Sequence, residues 1–185
     1  VEAAVTLHPE IKDKLDEIEE IKISTHDSAI RIIRKEGKLN NPADRDHCLQ
    51  YMTAIGLLKG DLVAEDYEDD VAEDPMIDKL REKMIIEEDD RYTKEYLESD
   101  KRSIANAIQI FFKDGTFTDK IEVEYPIGHR RRREQGIPLL IEKFERNLAT
   151  QFSESRCSDI NSLCSNQSKL ESTNVNEFMN LFVME

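Results

Sequence analysis

Apolar residues change period several times along the first half of the chain, and each change predicts an element. Val1 to Leu7 has helical spacing, with Pro9 as a breaker or a first-turn residue. Ile11, Leu15 and Ile18 extend a helical stripe, and then Ile21 and Ile23 alternate with Lys22 and Ser24 in strand period. This predicts a strand over 19–26, with Ala29 to Ile33 continuing it or bending away. Gly37 to Asn41 reads as a loop. A helix follows, with Asn41 as N-cap, Pro42 at its first position, and Asp44 and Asp46 in the first turn. Its apolar face is Cys48, Tyr51, Met52, Ile55 and Leu58, and Gly60 stops it. Ala64 to Val71 reads as a short acidic helix, and Asp74-Pro75 caps another that runs to about Met84.

Asp89 to Lys101 is polar and predicts a loop, after which Ile104 to Phe112 reads as a long strand. Asp114-Gly115 tolerates the positive φ of a tight hairpin turn. Phe117 to Tyr125 returns with Ile121, Val123 and Tyr125 on one face. Pro126 to Arg133 is a basic loop. Gly136-Ile137-Pro138 then opens a helix with core positions Ile137, Leu140, Ile141, Phe144, Leu148 and Phe152. The Ser/Asn-rich stretch from Ser153 to Thr173 holds one weak helix around Ile160 and Leu163, and Val175 to Phe182 makes a last short one. The fold class is α+β, a small antiparallel sheet with packed helices. The expected division is residues 1–133 and a helical segment 134–185.

Composition narrows what such a fold does. Formal net charge is −14, which argues against broad phosphate binding. No apolar run approaches the roughly 18 residues that span a bilayer. Three Cys without a Cys-x-x-Cys pair suit neither a disulfide framework nor a cysteine-held metal cluster. The first residue, Val1, lies inside a helical pattern, so the expectation is that the sequence starts partway along a longer protein. His26 at the strand end, His47 one turn into the capped helix, and His129 before the Arg130–Arg133 run are the histidines placed for chemistry. Each is equally at home on a surface or in a core. The arginine run reads as a solvated patch, a nucleic-acid or partner dock, or a site for a small polyanion, since guanidinium forks bind carboxylates bidentately. The acidic stretches 65–70 and 87–90 lack the glycine spacing of a calcium loop.

Three long segments carry a family resemblance: Asn40-Asn41-Pro42-Ala43-Asp44-Arg45-Asp46-His47-Cys48-Leu49-Gln50-Tyr51, Lys101-Arg102-Ser103-Ile104-Ala105-Asn106-Ala107, and Val123 to Arg133 followed by Gly136-Ile137-Pro138. They resemble, in order and spacing, the 2-methylcitrate dehydratases of the MmgE/PrpD family. The likeness runs from Val1 to about Phe152 and returns over Val175 to Val183, with Ser153 to Thr173 apart. It implies the α+β lid of a two-part enzyme, and C-terminal helices that return to an all-helical domain bearing further catalytic residues. The implied reaction is loss of water from a tricarboxylate, 2-methylcitrate, to give 2-methyl-cis-aconitate in propionate breakdown, by a hydro-lyase needing no cofactor or metal. Such an elimination needs cations for the anion, a base for the proton, and an acid for the hydroxyl. The resemblance places His47 and His26 as catalytic groups, and Arg45, Tyr125, His129 and Arg130 as substrate-binding ones. Arg45 has a rival explanation, an ion pair with Asp44, Asp46 or an acid of the following helices. The expected partners are the helical domain and a second copy in a homodimer, with no nucleic acid and no membrane. The expected place is the mitochondrial matrix in a eukaryote, or the cytoplasm in a bacterium. A related polycarboxylate dehydratase or decarboxylase, or an acidic interaction module docking through its arginines, are the alternatives.

Overall fold

A computed structural model describes residues 1–183; residues 184 and 185 of the expected 134–185 segment lie outside the described residues. The chain forms two compact units, Val1–Ile127 and a second from Gly128 on.

The first unit opens with α1 (Glu2–Ile11), β1 (Ile18–Thr25) and α2 (Asp27–Ile33). Next come α3 (Pro42–Arg45), α4 (Leu49–Lys59), α5 (Asp69–Ala72), α6 (Pro75–Glu82), β2 (Met84–Glu88) and α7 (Asp90–Leu97). It closes with β3 (Asn106–Phe112) and β4 (Ile121–Val123). The four strands form one sheet in the order β2-β1-β3-β4. β1 runs antiparallel to β3, as does β3 to β4, whereas β1 and β2 are parallel, so the sheet is mixed rather than wholly antiparallel. The sequence alone places Met84 at the end of a helix. It begins a strand because Met84 to Glu88 pairs with Ile21 to Thr25, a non-local match that a short apolar run does not announce.

Local signals act where they were expected. Asn41 accepts the N–H of Asp44 at 2.9 Å, Asp74 caps α6, and Gly60 ends α4 at φ 74°. Ile18, Ile21 and Ile23 are all buried although their spacing breaks a strict alternation, because the pairing with β3 shifts register between Ile18 and Glu20. Pro9 sits inside α1 rather than ending it. The helix expected from Pro42 to Gly60 is broken at Asp46–Cys48 into α3 and α4. The polar stretch after Asp89 is a helix, not a loop: Asp89 caps it and Tyr92, fully buried, anchors it. α4 is buried almost all round, packing on α1 and α6. α1 approaches it so closely that a Cβ on Gly56 would stand 2.9 Å from the Cβ of Ala4.

The second unit holds α8 (Arg133–Ala149), α9 (Glu154–Cys164), α10 (Gln167–Ser172) and α11 (Val175–Asn180). Leu148, Ile160 and Leu163 are buried, and Phe152, Phe178 and Phe182 meet ring to ring. α8 begins one turn before Gly136 and keeps Pro138 inside it. Of its expected core positions, Ile137, Leu140 and Ile141 are about half exposed. Their spacing is helical and apolar, but the described residues of this unit leave that face half exposed.

Candidate functional site

Strand directions gather chemistry at one end of the sheet. β1 and β2 finish there, β3 starts there, and the Asn106↔Val123 pair brings the end of β4 to the same place. His26 follows β1, and Glu124 and Tyr125 follow β4. The backbone N–H of Ile104 donates to Glu124 O at 3.1 Å, tying the segment before β3 to the segment after β4. Two of the predicted site residues, His26 and Tyr125, are therefore brought to one sheet end.

His26 is 6% exposed and is the N-cap of α2. Its Nδ1 accepts the N–H of Ala29 at 3.3 Å, which assigns the ring proton to Nε2 when the imidazole is neutral. The ring lies flat on Tyr96, centroids 4.4 Å apart. Burial pushes the imidazole pKa below its ordinary value, with the nearby Asp27 carboxylate acting in the opposite direction. A neutral ring with Nδ1 engaged and Nε2 protonated is a hydrogen-bond donor first, suited to a departing hydroxyl or a developing oxyanion. Beside it is a cavity of about 220 Å³, whose lining includes Met52, Thr53, Asn106, Val123 and Pro126. Tyr125 is half-buried.

Arg45 lies elsewhere and is almost fully buried. Nη1 donates to Tyr67 O at 2.6 Å, and Nη2 pairs with Asp69 at 2.7 Å. The structure thus gives Arg45 the intramolecular partner that its sequence left open, an acid of the following helices, Asp69 of α5. The guanidinium ties α3 to the segment before α5. It also lines a cavity of about 350 Å³ with Lys38, Arg81 and the acids Asp69, Glu73 and Asp78, so that basin is charge-balanced. His47 stands exposed in the break between α3 and α4, its Nδ1 2.5 Å from Asp46. His47 and Arg45 line neither the cavity beside His26 nor each other's surroundings in any contact within the described residues. In the second unit, His129 caps a 3-10 turn over Arg130–Arg132 and accepts the N–H of Arg131 at 3.2 Å; Arg130 is exposed.

Two residues of the sheet end escaped the sequence. Tyr96 lies in a stretch whose polarity predicts a loop, so its stacking on His26 has no mark in the sequence. Arg102 was visible only as part of a family segment, and its backbone conformation has no sequence mark. Among the described residues no three or more His, Cys, Asp or Glu are grouped to hold a metal ion. No helix among them is long and apolar enough to cross a membrane.

A family model described as the MmgE/PrpD C-terminal domain matches residues 1–167, running past Phe152 where the motif likeness paused. A 2-methylcitrate dehydratase of Escherichia coli (strain K12) is 50% identical over 100% of this chain and 39% of its own length. A mitochondrial 2-methylcitrate dehydratase of Yarrowia lipolytica is 51% identical over 98% of this chain and 35% of its own. A probable 2-methylcitrate dehydratase of Saccharomyces cerevisiae is 48% identical over 90% and 32%. The chain spans between 32% and 39% of the length of these relatives.

Proposed function

The chain belongs to the MmgE/PrpD family, and from that premise we propose that it is the C-terminal, lid-type part of a 2-methylcitrate dehydratase. The observation that carries this is identity of about half over the whole chain to proteins of that name. The reaction is an elimination: a base takes the proton beside a carboxylate, the electron pair forms the double bond, and the C–O bond breaks as an acid protonates the leaving hydroxyl to water. The product is 2-methyl-cis-aconitate. His26 serves as a hydrogen-bond donor to the departing hydroxyl through its neutral Nε2–H, the proton that completes water coming from a separate acid, and His47 is the second candidate catalytic histidine. Tyr125, His129 and Arg130 bind carboxylates. Arg45 supports the substrate side through the α3 segment that it anchors. The half-exposed apolar residues of α8 support a partner face, taken by a helical domain of the same protein or a second copy in a homodimer. The mitochondrial name of the Yarrowia relative supports the matrix as the location in a eukaryotic host; in a bacterium it is the cytoplasm.

The test is to incubate the full protein with 2-methylcitrate and follow the ultraviolet absorbance of the unsaturated product. Steady formation of 2-methyl-cis-aconitate is expected. Turnover of another polycarboxylate with none of 2-methylcitrate, or release of carbon dioxide in place of water, would replace this reading with the related dehydratase or decarboxylase.

A further inference from the structure

Arg102 is the only non-glycine residue with positive φ among the described residues, at 46°. An L-residue adopts this left-handed region at a cost, because its Cβ crowds the following carbonyl. Such conformations persist where the surroundings impose them, and they cluster at sites of function. The surroundings here are specific. On one side, Lys101 Nζ holds the carboxylate of the buried Glu95 at 2.5 Å, and the N–H of Arg102 donates to Glu98 O at 2.8 Å. On the other, Ser103 is fully buried and Ile104 is bonded to Glu124. The chain is pinned on both sides of one residue. The result is an exposed arginine with no side-chain hydrogen bond or ion pair to any described residue. This contrasts with Arg91, held by Glu122, and with Arg45, held by Tyr67 and Asp69. Arg102 stands in the segment entering β3, at the sheet end that carries His26 and Tyr125.

We propose that Arg102 is a substrate-binding residue, its guanidinium taking one carboxylate of the polycarboxylate at the sheet end beside His26. The proposal rests on the dehydratase reading for its substrate class, and it explains why the loop is locked in a conformation unfavourable to arginine. A guanidinium without a protein partner keeps both arms of its fork for a carboxylate, and the fixed backbone holds its starting point at the sheet end.

Two variants separate binding from folding. Arg102→Gly removes the guanidinium and suits positive φ, so its melting temperature should be no lower than that of the parent. Arg102→Lys keeps charge and backbone preference but lacks the fork. In the full protein, KM for 2-methylcitrate should rise about ten- to a hundred-fold for Gly and about ten-fold for Lys, with melting unchanged in the Lys variant. Calorimetric titration with citrate, which presents the same three carboxylates, gives a second readout and should weaken in parallel. An active parent whose Arg102 variants keep its KM would overturn this proposal alone. A parent that does not dehydrate 2-methylcitrate but binds citrate in an Arg102-dependent way would overturn the dehydratase reading and leave the anion site standing. A parent that neither turns over 2-methylcitrate nor binds citrate would overturn both.

Discussion

Replacing His26 tests whether a buried imidazole serves this fold as a neutral cap. His26→Ala removes the acceptor for the Ala29 N–H and the ring stacked on Tyr96. Losing an N-cap costs about 1 kcal/mol, and the bond is long at 3.3 Å, which favours the lower part of the range. The stacked ring pair contributes about 0.5–1.5 kcal/mol. Together the loss is about 1.5–2.5 kcal/mol, or roughly 6–10 °C in melting temperature at roughly 4 °C per kcal/mol. His26→Asn keeps a good capping acceptor and loses only the stack, so it should fall by less. The pH dependence separates the two causes further. Burial lowers the folded-state pKa of His26, so the unfolded chain takes up the proton first. The stability contributed by the neutral ring is then fully present above about pH 6.5 and is lost as pH falls below it. His26→Asn lacks this titration, and the parent should lose stability relative to it between about pH 7.5 and 5. The chain has no Trp, and its tyrosines, Tyr51, Tyr67, Tyr92, Tyr96 and Tyr125, all lie in the first unit. Tyrosine fluorescence therefore reports that unit alone. An Ala variant that melts with the parent, or a parent-to-Asn difference that does not change with pH, would refute the reasoning.

Arg45→Ala should destabilise the first unit by about 2–3 kcal/mol in denaturant titrations, because it removes charged hydrogen bonds from a buried side chain. Asp69→Asn should cost less than about 1 kcal/mol, since that carboxylate is 79% exposed. Gly60→Ala should cost more than about 1 kcal/mol, because φ is 74° and the new Cβ would stand 2.6 Å from His8 Cδ2; His8→Ala in the same chain should recover the steric part in thermal melts. Burial of Glu122 acts to raise its pKa, but hydrogen bonds from Tyr92 and Arg91 outweigh this and leave it lowered. Tyr92→Phe should raise that pKa in a carboxylate NMR titration and cost about 1–2 kcal/mol at neutral pH. Stability from the ionised Glu122 is present above about pH 4.3 and is lost as pH falls through the lowered folded value, so the cost of Tyr92→Phe should shrink in acid.

What could be read from the chain alone was whatever a few neighbouring residues decide. Asn41, Asp74 and Gly60 mark helix ends because caps and left-handed turns are satisfied within one turn of the chain. β1, β3 and the Asp114-Gly115 turn follow from alternation and turn chemistry, and Gly115 takes φ 86° as that turn requires. The family segments were legible too, since they are strings of residues, and with them the expectation of a polycarboxylate substrate. Tertiary structure decided the rest through contacts between distant positions. Met84 to Glu88 is a strand only because β1 offers it an edge more than sixty residues earlier. Asp90 to Leu97 is a helix because Tyr92 finds a buried place, although its other positions are mostly polar. Arg45 is taken by Asp69 on a separate helix, while Arg102 is left open by a backbone conformation imposed from Glu95, Glu98 and Glu124. A guanidinium carries the same charge at both positions in the sequence; its partners, and hence its role, are set by which distant groups the folded chain brings within hydrogen-bond reach.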